Sequence, residues 1–108
     1  MPAVSRDSID LARTGHTCTF FIGVNASQDT VFANGKAVLR PGDRLKKHNI
    51  LKKGPPKKCI PHSAKVNRGS PTVFAEDKPV ARIKDSADRG KMIQGSRNVF
   101  ANGGGGRL

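Results

Sequence analysis

"DTVFANGKAVLRPGD", residues 29–43, reads as a β-hairpin, with apolar pairs on either side of Asn34-Gly35. Both turn residues tolerate the positive φ that a type I′ turn requires, which makes Asn-Gly the strongest short hairpin signal. Two related stretches follow, "TVFAEDKPVARIKD" at 72–85 and "NVFANG" at 98–103. Val31-Phe32-Ala33, Val73-Phe74-Ala75 and Val99-Phe100-Ala101 coincide, and a serine precedes each triplet: Ser27, Ser70 and Ser96. Return strands run through Lys36–Arg40 and Lys78–Arg82 and end at Asp43 and Asp85. The second copy has the weaker turn pair Glu76-Asp77. Its Pro79 cannot donate to a ladder, so this strand is expected at an edge or in irregular pairing.

The third copy runs into "NGGGGRL" with no return strand, whereas the chain begins "PAVSRDSID", which resembles "PVARIKDSAD" at 79–88. The N-terminal strand is therefore expected to complete the third hairpin. On this reading residues 1–108 form one domain, with hairpin copies near 30–43, 72–85 and 98–104, the last completed by 2–10. Such a chain closes on itself with pseudo-threefold symmetry and buries sheet edges that otherwise invite aggregation. The expected fold is all-β: a small pseudo-threefold cone of short hairpins joined by irregular crossovers.

Composition agrees. Only 35% of the 108 residues are hydrophobic, there is no Trp or Tyr, and 12 Gly and 7 Pro favour short strands and tight turns over long helices. No run approaches the length of a transmembrane helix, and "MPAVSRDSID" lacks the layout of a signal peptide. Synthesis in the cytosol is expected, with Cys18 and Cys59 reduced and serving as ligands or buried fillers rather than as a disulfide. Twenty Lys and Arg against eight Asp and Glu give +12, a charge suited to polyanions such as nucleic acid, lipopolysaccharide phosphates or anionic lipid. The densest basic run, Arg44 to Lys65, contains Lys46-Lys47, Lys52-Lys53 and Lys57-Lys58 and no aromatic residue. It reads either as a solvated loop or as a contact for phosphate on a target surface.

The repeat, with Pro79-Val80-Ala81-Arg82 in its second copy, resembles the PAAR-repeat proteins, and the resemblance covers nearly the whole chain. It implies a sharp β cone of the stand-alone kind that caps a trimeric β-helical spike through its base. The spike belongs to a contractile phage tail or a type VI secretion system, where the tip pierces a bacterial outer membrane. The implied locations are the virion, after synthesis in the host cytoplasm, or a secreted type VI spike. The implied state is a monomer that touches the membrane transiently, binds no nucleic acid and is not an enzyme. Family members hold a metal near the apex with histidines and a cysteine. The return strands here depart from Pro-Ala-Ala-Arg, and Arg89 stands about where many relatives carry a metal-binding Cys.

All three histidines and both cysteines fall in two crossovers, Gly15-His16-Thr17-Cys18 in residues 8–30 and His48 with Cys59-Ile60-Pro61-His62 in residues 44–72. If the crossovers meet at the narrow end of a cone, too few residues remain there for an apolar core, and a metal can replace it. The expected ligands are His16, His48, His62 and Cys59, with Cys18 as a substitute for Cys59. His16 and His48 sit where the family's loops carry ligands, and Cys59 rests on its spacing to His62. Mixed N and S ligation suits one structural transition-metal ion, Zn²⁺ or Fe²⁺. A closed four-ligand site leaves no position for a reacting water. The rival readings are a Cys-His nucleophilic enzyme, which lacks pocket-building bulk, and a small basic zinc-containing nucleic-acid-binding module, which leaves the repeats unexplained.

Overall fold

The computed structural model describes residues 2–52 and 55–101, and among the described residues every regular element is a β-strand. In chain order these are β1 (Leu11–Arg13), β2 (Phe21–Asn25), β3 (Phe32–Ala33), β4 (Lys36–Ala37), β5 (Arg44–Leu45), β6 (His48–Lys52), β7 (Lys58–His62), β8 (Phe74–Ala75), β9 (Lys78–Pro79), β10 (Ser86–Ala87) and β11 (Gly90–Met92).

The two complete hairpins form as expected. β3 pairs with β4 and β8 with β9, in the same register. Both turns take positive φ at both central residues, 55° and 77° at Asn34-Gly35 and 47° and 68° at Glu76-Asp77. The weaker signal of the second copy thus yields the same turn, because the Arg40 guanidinium donates to the carbonyls of Ala75 and Glu76 at 3.2 and 3.3 Å. Pro79 pairs with Phe74 in a ribbon of only two strands, where a missing donor can face outward.

The N-terminal strand completes the third copy. Ala3 bridges Phe100, and the Val4 N–H donates to Val99 at 3.0 Å. Val38 to Val31 and Val80 to Val73 are the equivalent bonds, also at 3.0 Å. The expected turn at Asn102-Gly103 lies outside the described residues.

A closed ring of backbone hydrogen bonds joins the three copies. The Leu39 N–H donates to Ser5, the Ser5 N–H to Ala81, and the Ala81 N–H to Leu39, at 3.0, 2.9 and 2.7 Å. On one side of the ring the hairpins pack Val4, Ala33, Val38, Ala75, Val80 and Ala101 into an apolar cluster. Phe32, Phe74 and Phe100 turn outward, 55, 55 and 46% exposed, and so belong to the surface rather than the core.

On the other side, β10-β11-β1-β2-β5 form a sheet that the bridges Arg44–Lys65 and Val66–Ala87 close into a small barrel. Its core holds Ala12, Val24, Leu39, Leu45, Val66, Ala81, Ala87 and Met92. The turns entering the barrel also repeat. Ser8, Gly42 and Lys84 all have positive φ and donate to Val24, Val66 and Met92. Buried Asp10, Asp43 and Asp85 each accept the N–H of the preceding arginine, Arg6, Arg40 or Arg82, at 2.8 Å.

One repeat position differs from expectation. Ser70 and Ser96 accept the N–H groups that open their strands, but in the first copy Gln28 does so, accepting from Thr30 and Val31 at 2.9 and 2.8 Å. Ser27 lies one residue too early and donates its hydroxyl to Asp43.

Val4, Val38 and Val80 are equally buried at equivalent positions. Each Val→Ala change is expected to cost about 2 kcal/mol, from two methyl-sized groups and the cavity they leave. Denaturant unfolding of the three variants checks this, and a near-zero cost for Val4→Ala alone would show that the N-terminal strand does not complete the third copy.

Candidate metal centre

Three crossovers of unequal length leave the barrel: residues 14–20 between β1 and β2, 46–64 between β5 and the Lys65–Val66 bridges, and 88–89 between β10 and β11. Each sends a polar side chain to one point. The shortest is a turn in which Asp88 takes φ 54° and its N–H donates to Lys65 at 3.0 Å. The first is organised by fully buried Thr14, whose hydroxyl donates to the Thr19 carbonyl and accepts the His16 N–H at 3.0 Å. Gly15 allows these two crossovers to touch, since a Cβ there would stand 2.8 Å from the Arg89 backbone.

The second crossover is not irregular as expected. β6 and β7 form a regular antiparallel ribbon with His48 directly opposite His62. Residues directly opposite share a face, so both imidazoles point the same way.

The result is a buried carboxylate ringed by three imidazoles. Asp88 Oδ1 lies 3.0 Å from His16 Nε2 and 3.3 Å from His62 Nε2, and its Oδ2 lies 2.8 Å from His48 Nε2. Side-chain exposure is 4% for Asp88, 9% for His16, 0% for His48 and 27% for His62. Ring centroids are 5.0 to 6.0 Å apart, and one ligand atom from each of the four residues falls within 4.8 Å of all the others. These four residues could hold a metal ion.

The hydrogen bonding at His48 bears on the charge required. Its Nδ1 lies 2.9 Å from the Lys46 carbonyl, which can only accept, so Nδ1 carries the proton. Nε2 then presents a lone pair to a carboxylate oxygen at 2.8 Å. Two acceptors at that distance repel unless a second proton or a cation binds there. A backbone carbonyl that fixes the tautomer of a ligating histidine is a common arrangement around protein-bound metals.

His16, His48 and His62 thus come together as the sequence predicts, but Cys59 does not join them. It forms a disulfide with Cys18, so neither expected thiol ligand is free and the expectation of reduced cysteines is replaced. The reason lies in strand geometry. Cys-x-x-His places two ligands together in a turn, but within β7 side chains alternate, so Cys59 points with Pro61 and away from His62. The fourth ligand candidate is Asp88, one residue before Arg89. It was detectable on symmetry grounds, since a site on a pseudo-threefold axis draws on every crossover and the third offers no His or Cys.

Comparison with protein-family models and with curated proteins returns no match.

Burial alone raises the pKa of Asp88, but its hydrogen bonds to His16, His48 and His62 outweigh this and hold the carboxyl below its ordinary 3.8. Because the folded value is the lower one, the stability the carboxylate contributes is complete above 3.8 and is lost as pH falls through the lowered value. With a chelator present, Asp88→Asn is expected to melt below wild type at neutral pH, and the gap is expected to close on acidification below 3.8. Thermal melts across pH measure it.

The disulfide spans a separation of 41 residues. Loop entropy gives it about 4 kcal/mol at most. Cys18→Ser with Cys59→Ser is expected to lower the denaturant midpoint by an amount up to that value, and a reducing agent is expected to do the same to wild type and nothing to the variant.

Proposed function

We propose that this chain is a structural tip: a monomeric β cone that caps a trimeric β-helical spike and is closed at its far end by one transition-metal ion. The observation that carries the reading is the ring through Leu39, Ser5 and Ala81, with Phe32, Phe74 and Phe100 exposed at equivalent positions on one side of it. One chain with three near-identical apolar patches can sit coaxially on three chains, each patch meeting one of them. This matches the expectation from the resemblance to PAAR-repeat proteins, and through it to the spike of a contractile phage tail or a type VI system.

At the other end, three imidazoles and a carboxylate form an N₃O donor set suited to Zn²⁺ or Fe²⁺. Ligands drawn from all three crossovers would tie together loops that share little apolar core, so metal binding would contribute directly to folding. Four protein donors fill a tetrahedral shell and leave no place for a reacting water. The role supported is structural rather than catalytic.

Elemental mass spectrometry of the purified untagged protein tests the metal. About one transition-metal ion per chain is expected, lost in His48→Ala together with thermal stability. Capping is tested separately with Phe32→Ser, Phe74→Ser and Phe100→Ser combined. This variant is expected to keep its metal and its fold while losing binding to a trimeric β-helical spike. A metal-free wild type would overturn the apex part of the reading, and unchanged spike binding by the triple variant would overturn the docking part.

A further inference from the structure

The ribbon β6–β7 carries a charge that the rest of the fold does not use. From Arg44 through Ala75 the chain has nine Lys and Arg and not one Asp or Glu. Among the described residues every ion pair is made by Arg6, Arg40, Arg82 or the three histidines, so the described lysines of this segment make none. Lys52 stands directly opposite Lys58 across the ladder, both exposed, and exposed Lys57 adjoins them. Like charges in direct opposition destabilise a ribbon. Here the ribbon is held at its foot by His48 and His62 against Asp88 and along its length by Cys18–Cys59.

Apolar surface accompanies this charge. Strand alternation puts Lys52 and Lys58 on one face with half-buried Ile50 and Ile60. On the other face Leu51 and Pro61 are exposed. The loop that the disulfide and the Asn49 N–H bond to Thr19 fasten beside the ribbon leads into Phe20 and Phe21, each more than half exposed. Lys52 and Lys58 on one face and Leu51 on the other lie at the end of the ribbon away from His48 and His62, so an anionic lipid surface met by that end receives both, the ammonium groups at headgroup phosphates and the apolar group in the interface. The apolar groups on the ribbon itself are aliphatic or proline, and the exposed rings of Phe20 and Phe21 lie beside it.

We propose that the β6–β7 ribbon is an arm that binds the phosphates of an anionic lipid surface, with Lys52, Lys57 and Lys58 as the contacts and Leu51 and Phe20 as shallow apolar anchors. This deepens the membrane-contact part of the spike-tip reading.

The test is flotation of the isolated full-length protein with vesicles of phosphatidylcholine alone and of phosphatidylcholine mixed with phosphatidylglycerol, in the absence of any spike. Wild type is expected to bind only the mixed vesicles, and more weakly as salt is raised. Lys52→Gln, Lys57→Gln and Lys58→Gln combined is expected to weaken that binding by about 100-fold. Lys36→Gln, Lys78→Gln and Lys91→Gln combined removes the same charge from exposed lysines elsewhere and is expected to have a much smaller effect. Equal losses in the two variants would overturn the proposal in favour of a diffuse charge effect. No binding of wild type to the mixed vesicles would also overturn it, and binding of a DNA duplex by wild type but not by the arm variant would then assign the arm to nucleic acid. Metal content and spike binding are read separately, so a negative here leaves them standing.

Discussion

The fold depends on three backbone hydrogen bonds, Leu39 to Ser5, Ser5 to Ala81 and Ala81 to Leu39. Hairpins whose strands are two residues long cannot persist alone in water. The ring removes that weakness by making each copy the partner of the other two. The three residues that make it need not be alike, because the bonds are made by backbone groups. Leu39, Ser5 and Ala81 differ in size and polarity, and all are fully buried. Ser5 satisfies its hydroxyl by donating to Gln94 at 2.7 Å.

The two ends of the molecule follow from what lies on either side of that ring. On the hairpin side the copies stay alike, because each must fit the same Val-Phe-Ala triplet against the same small apolar cluster. On the barrel side they diverge, because crossovers need only leave and re-enter the wall. One is reduced to a turn, one is a short loop, and one has grown into a ribbon. Their meeting point is too small for an apolar core, and the structure places a carboxylate and three imidazoles there instead. A carboxylate this buried is tolerable only beside positive charge, whether carried by the imidazoles or by a bound cation.

The disulfide and the His–Asp cluster brace the same loops from opposite faces of the ribbon. His16 and Cys18 share one crossover, and His62 and Cys59 share one strand. Each link therefore limits where the other's partners can move, so the positions of the imidazoles and the projection of the basic ribbon are mechanically coupled. A segment with repelling lysines and little core beneath it becomes a defined ribbon through these two attachments.

Much of this was legible in the sequence. The Asn34-Gly35 turn and three aligned Val-Phe-Ala triplets are local signals, and they determined the all-β class, the three copies and the completion of the last by the N-terminal strand. Confinement of every histidine to the crossovers likewise indicated a single polar cluster. Only the tertiary structure decided the pairing of the cysteines and the fourth member of the cluster. Cys59 and His62 look like a ligand pair until β7 is seen to be extended, where a spacing of three puts them on opposite faces. Asp88 looks like an ordinary turn residue until the other two crossovers converge on it. Periodicity and turn chemistry are properties of neighbouring residues, whereas the face a side chain occupies and the groups that surround it depend on segments that meet only when the ring closes.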